Sequence, residues 1–200
     1  MLMGHMNAIS IRIAIACVLA IGSVGCPREQ APTRDLVQEA DALLRDQKWS
    51  EARALLKEHL LLHPHDAGAH FLLGRSHLVG LNFRPFIAEG EYETAIACYL
   101  SKGRVNTIKR FKDDGYFEMM CHIEAAKVQD RIIGTLLVYG GGLEGARLYI
   151  DKGLAYVDEA RKVRPDAQEV QQYDALFRDY LEKSDEAARG RRPVPAGEVI

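Results

Sequence analysis

TRDLVQEADALLRDQKWSEARALLKEHLLLHPHD, residues 33–66, decides how this chain folds. Leu36, Ala40, Leu43 and Leu44 recur at three- and four-residue spacing, and so do Ala52, Leu55, Leu56, His59 and Leu60. That spacing gathers each set on one face of an α-helix, where it can be buried against a neighbour. Between the two sets, Arg45 to Ser50 is a short polar break, and the hydroxyl of Ser50 suits an N-cap. Pro64 ends the second helix, because it has no amide hydrogen and pushes His63 out of the helical region. The stretch is a helical hairpin of 34 residues.

A hairpin that repeats at about 34 residues is the mark of a stacked helical array. Within 33–66, Ala40, Ala52, Leu56 and Pro64 resemble the pattern of the tetratricopeptide-repeat family, with Trp49 at the aromatic place before the second helix. The next unit is similar to the same pattern. It has His70, Leu73-Gly74 and His77 at the family's Trp, Leu-Gly and Tyr places, followed by Tyr92-Glu93-Thr94-Ala95-Ile96-Ala97-Cys98-Tyr99 as its second helix. A third unit carries Ile133-Gly134, Leu137, Ala146 and Tyr149, with an extra helix from Gly115 to Gln129 ahead of it. Its second helix runs to Arg164-Pro165. Ala167 to Lys183 then reads as a capping helix with Val170, Tyr173, Leu176, Phe177 and Tyr180 on its apolar face. The resemblance is good over 33–103, partial to 165 and absent elsewhere. The expected class is all-α, with tetratricopeptide-like hairpins over residues 34–183 and a disordered charged tail over 184–200.

Composition agrees with helices. Hydrophobic residues make up 48% of the chain and aromatic ones only 8%, while Ala and Leu are plentiful. A net charge of −2 supplies no strong field, and no basic face of the kind a nucleic-acid binder needs stands out over residues 33–184.

The N-terminus reads as an address. Arg12 precedes an uncharged run from Ile13 to Pro27, too short to span a bilayer, which needs ~20 apolar residues. Its end, Ser23-Val24-Gly25-Cys26, resembles the lipobox of bacterial lipoproteins, with Ser23 in place of the commoner Leu. The resemblance implies a signal peptide over residues 1–25, lipidation of Cys26, and a polar tether over 26–33. Several acyl chains are needed because one alone anchors only marginally. Pro27, where an Asp favours inner-membrane retention in enteric bacteria, implies an outer-membrane anchor facing the periplasm. Ordinary secretion and an uncleaved anchor are the other readings of the run.

Family resemblance sets the binding surface on the first helix of each hairpin, at Val37, Asp41, Leu44, Arg45, Phe71, Arg75 and Leu78. Phe71 and Arg75, one turn apart, join an aromatic anchor to a forked cation and are the favoured pair; core packing is the alternative for Phe71. The apolar insertion Leu81–Glu89, with Phe83 and Phe86, either contacts a partner or folds back on its own module. The function implied is a protein-binding adaptor or scaffold within a secretion, pilus or outer-membrane assembly system. It is not an enzyme and has no cofactor.

The alternative is a periplasmic enzyme or metal- or cofactor-binding protein using His59, His63, His65, His70 and His77. No Glu follows His59 as a zinc protease motif requires. Gly140 to Gly145 fits a dinucleotide fingerprint, but residues 146–164 read as helix where a second strand is needed. Cys98 and Cys121 read as buried thiols or, if exported, as a disulfide.

Overall fold

The computed structural model describes residues 35–79, 83–111 and 113–190, with Asp114 described by its backbone alone. The expected signal 1–25, the lipidation site Cys26, the tether to 33, positions 81 and 82 of the insertion and the tail from 191 lie outside the described residues. Those residues are helical with no strand among them, and they belong to a unit beginning at Asp35.

Helix α1 spans Leu36–Arg45 and starts at Asp35, whose carboxylate accepts the Gln38 amide at 3.2 Å. Gln47 turns the chain with φ 61°, and α2 follows over Trp49–Leu62. Ser50, expected as the cap, lies in the first turn of α2. Lys48 holds the cap position and makes no capping bond. Helix α3 spans Ala67–His77, capped by Asp66 through the Ala69 amide at 3.0 Å.

The insertion is mostly helix. Helix α4 runs over Pro85–Ser101 and so takes up Pro85 to Glu89, with proline at the one helical position that tolerates it. Helix α5 spans Asp114–Val138, 25 residues without a break, where the sequence predicted one helix ending at Gln129 and another after it. A single turn, α6 (Gly142–Gly145), leads into α7 (Arg147–Val163) and α8 (Gln168–Gly190). The triple glycine is a connection between α5 and α7, with Gly140 at φ 80° and Gly142 at φ 61°, conformations glycine adopts without strain. Helix α8 outlasts its predicted end at Lys183, because Ser184 is buried and its hydroxyl donates to the Leu143 carbonyl of α6 at 3.3 Å.

Each long helix packs on the next in chain order, with α5 on α7 and α7 on α8. The ends alternate. Tyr99 near the end of α4 meets Phe117 near the start of α5, and Glu89 near the start of α4 meets Gln129 far along α5. One core joins α1 to α5 around Phe71, Leu72, Tyr92, Tyr99, Phe111 and Phe117. A second joins α5, α7 and α8 around Met119, Ile123, Ile133, Ile150, Val157 and Phe177. Helix α5 serves both.

Two glycines are fitted to rings. A Cβ at Gly74 would stand 2.8 Å from the Tyr92 ring, and one at Gly153 would stand 2.1 Å from that of Phe177. Close packing of the helices at these points needs the missing side chain.

Candidate functional site

Helix α5 presents Glu124, Lys127 and Arg131 at helical spacing on one side, and α3 presents Arg75 and Leu78 opposite them. With Val79 they line a cleft of about 230 Å³. Lys127 pairs with Glu124 at 2.8 Å and lies over the Tyr173 ring. Arg131 donates to the Leu78 carbonyl at the end of α3, where the helix dipole favours a cation, and lies over Phe83 at 5.9 Å. Arg75 has no ion-pair partner among the described residues.

The same face continues onto α1. Asp41 is buried, and its carboxylate stands 3.1 Å from Arg110 and 3.9 Å from Arg45. Burial lowers the pKa of Arg110, opposed by Asp41 and assisted by Arg75 and Arg45, so these groups share one electrostatic neighbourhood. Five cations, Arg45, Arg75, Arg110, Lys127 and Arg131, therefore face two carboxylates, Asp41 and Glu124. Guanidinium and ammonium groups donate hydrogen bonds and accept none, and they stay charged at neutral pH. The face suits a carboxylate-bearing ligand, and these cations are poor general bases.

The predicted surface residues divide. Arg45 is exposed and Arg75 half-buried, both on this face. Val37, Asp41, Leu44, Phe71 and Leu78 are buried. Phe71, expected as the aromatic anchor, is 1% exposed, and its ring meets Phe111 edge-on at 5.3 Å and Tyr92 and Phe117 at 5.6 Å. The connection between α4 and α5 brings Phe111 over it, and Arg110 in turn covers Phe111 at 4.7 Å. Phe71 is a core residue; the groove floor over it is filled from within the chain. Phe83 and Phe86 are 36% and 64% exposed, Phe83 under Arg131 of α5 and Phe86 in the first turn of α4.

Reasoning from the sequence missed Arg110, Glu124, Lys127 and Arg131. The i, i+3, i+7 spacing of the last three was visible, but nothing marked α5 as the helix facing α3.

Glu89 ties α4 to both later helices. It is 6% exposed and accepts from Gln129 at 2.5 Å, Lys152 at 2.8 Å and Tyr156 at 2.9 Å. The Tyr156 hydroxyl also reaches Glu93 at 2.5 Å; burial, with these carboxylates, raises its pKa far above the ordinary tyrosine value. A buried carboxylate needs such partners, and here they come from two helices, α5 and α7.

The histidines have separate local partners. His59 bonds Asp66 at 2.8 Å and stacks on His63 at 4.7 Å. His70 bonds Glu91 at 2.7 Å and the Pro64 carbonyl at 3.0 Å. Burial disfavours its charged ring, but these two bonds outweigh burial and raise its pKa. His77 is buried, and burial together with the Arg53 charge lowers its pKa. The described residues hold no group of three His, Cys, Asp or Glu side chains placed to bind a metal ion. Cys98 and Cys121 are free thiols, both buried, and burial raises the pKa of each.

No family model matches this chain, and no curated protein matches it either.

Proposed function

We propose that this chain is an adaptor of the bacterial cell envelope, anchored through a lipidated Cys26 in the outer membrane, that docks an acidic segment of a partner protein. On this reading the helical hairpins form a tetratricopeptide-type array, and the partner belongs to a secretion, pilus or outer-membrane assembly system. The observation that carries it is the cleft between α3 and α5, where Arg75, with no ion-pair partner among the described residues, stands with Leu78, Glu124, Lys127 and Arg131. First helices of successive hairpins commonly line the groove in which such arrays hold extended or helical peptides. A half-buried arginine beside an apolar wall binds a carboxylate through two parallel bonds, with more gain than in open solvent.

The test is photocrosslinking in envelopes from a reactive side chain at Val79, on the rim of the cleft. A partner captured by the native surface and lost on Arg75→Glu, in protein whose thermal melt is unchanged, is the expected result. Capture that survives Arg75→Glu and Lys127→Glu together would remove this cleft as the docking site.

A further inference from the structure

The chain enters the described body at Asp35, and three parts of the fold meet around that point. Gln38 donates to the Thr107 carbonyl at 2.6 Å, Thr107 donates to Asp66 at 2.7 Å, and Lys109 pairs with Asp35 at 3.1 Å. These contacts bring the start of α1, the start of α3 and the connection after α4 together. Gly68 makes the fit possible, since a Cβ there would stand 2.4 Å from the Thr107 hydroxyl. At the same end, Leu61 and Leu62 on the last turn of α2 are 84% and 77% exposed, and Val105 is 61% exposed. A shallow cleft of about 470 Å³ lies between His59, His63, Lys102 and Val105.

The connection between α4 and α5 is basic up to Asp113. From Lys102 to Lys112 the sequence holds Lys102, Arg104, Lys109, Arg110 and Lys112 and no acidic residue. Lys109 and Arg110 are taken up by Asp35 and Asp41. Lys102 and Arg104 have no ion pair among the described residues. Gly103 and Arg104 both hold positive φ, 75° and 64°, a turn that arginine rarely adopts, and Val105 follows directly.

We infer that this end of the body rests on the membrane, with Leu61, Leu62 and Val105 entering the headgroup layer and Lys102 and Arg104 meeting anionic lipid. The inference rests on the lipid anchor of the adaptor reading and adds an orientation to it. Cys26 is nine residues before Asp35, a reach of at most ~30 Å even when fully extended. The far end lies the length of α5 away, 25 residues or ~37 Å. A tether of that length keeps the near end within ~30 Å of the bilayer. Exposed leucines beside unpaired cations suit an anionic interface, where apolar side chains enter ~5–10 Å and each Lys or Arg near the surface strengthens attachment roughly fivefold. The cleft at Arg75 then faces sideways, clear of the lipid.

The native tryptophan makes the test direct, because Trp49 is the only one in the sequence and opens α2 at the end opposite Leu62. Lipidated full-length protein is placed in vesicles of phosphatidylethanolamine and phosphatidylglycerol with brominated acyl chains, which quench tryptophan at the bilayer. The native chain is expected to keep its emission, and Trp49→Phe/Leu62→Trp to lose most of it, with Trp49→Phe/Val105→Trp as a second probe. Lys102→Glu/Arg104→Glu restores the emission, and vesicles of neutral phosphatidylcholine quench less. Both introduced probes remaining bright, or Trp49 being quenched as strongly as they are, overturns the seating. The mass of the N-terminal peptide separates the two readings. A diacylglyceryl group on Cys26 with unquenched probes ends the orientation and leaves the anchored adaptor standing, whereas an unmodified Cys26 ends both.

Discussion

The two cores of this protein are closed by the same device and differ in how heavily they use it. In the first, Tyr92 fits against Gly74, and four further rings, Phe71, Tyr99, Phe111 and Phe117, stack around it with centroids 5.0–5.8 Å apart along Phe71–Phe111–Phe117–Tyr99. In the second, Phe177 is the one buried ring; it fits against Gly153 and meets the partly buried Tyr180 edge-on at 6.1 Å, among otherwise aliphatic buried side chains. Aromatic clusters gain from ring geometry as well as from buried area, so the first core gains from several neighbours and the second depends on one fit. A region stabilised by many partial contacts tolerates the loss of a fit better than a region built on a single one.

The comparison is broken most forcefully by removing the rings. Phe71→Ala and Phe177→Ala should each cost about 3–5 kcal/mol in urea unfolding, with Phe71→Ala the larger by about 1 kcal/mol for its lost ring contacts. The opposite order would mean that the aromatic cluster adds nothing beyond area. Filling the glycines comes next. Gly153→Ala should cost about 1–3 kcal/mol by overpacking, and Gly74→Ala less, because its methyl group meets the ring at a longer distance. Adding Phe177→Leu to Gly153→Ala should recover part of the loss; a strictly additive double variant would sink the steric account. The joint between the cores is probed by Tyr156→Phe, expected to cost about 1 kcal/mol through its hydroxyl on Glu89.

The smallest effect is a pH dependence with opposite signs. His70 has a raised pKa, so its contribution is complete below the unfolded value of ~6.5 and fades as pH rises through its folded value. For His77 and His122 burial is the first cause of a lowered pKa, so their contribution is present above ~6.5 and fades as pH falls. Proton NMR should show His70 with a pKa above the ordinary histidine value, and Glu91→Gln should lower it. A His70 curve indifferent to Glu91→Gln would show that the hydrogen bond is not what holds its proton.

What the sequence revealed follows from how local each signal is. Pro64, Asp66 and the spacing of Ala52 and Leu56 act within a turn or two, and α1 to α3 lie where the pattern predicts. Leu73-Gly74 was read only as the family's Leu-Gly place, and the structure shows Gly74 set close against the Tyr92 ring. Phe71 was misplaced because helical phase says which face a residue is on and not what covers that face. Its cover, Phe111, comes from a connection 40 residues later in the sequence. Helix α5 was broken in two by reading. Phe117, Cys121, Ala125 and Val128 serve one core while Met119, Ile123, Ala126 and Ile133 serve the other, which leaves an apolar surface with no single stripe. The insertion Leu81–Glu89 was read as an apolar loop, although Pro85 opens α4. The basic run from Lys102 to Lys112 was in plain view but vanished into a net charge of −2.

The described body has seven long helices running alternately, and seven is odd. The described residues therefore start beside Thr107 and finish beside α6, where Asp185 pairs with Arg147 at 2.5 Å, at opposite poles. Load applied between its two ends would run parallel to the helices and shear every interface at once, instead of peeling them apart one by one. Such a body is suited to bear tension along its axis, and a force-spectroscopy trace pulled end to end should show one high rupture where a pull from the α4–α5 connection shows several low ones.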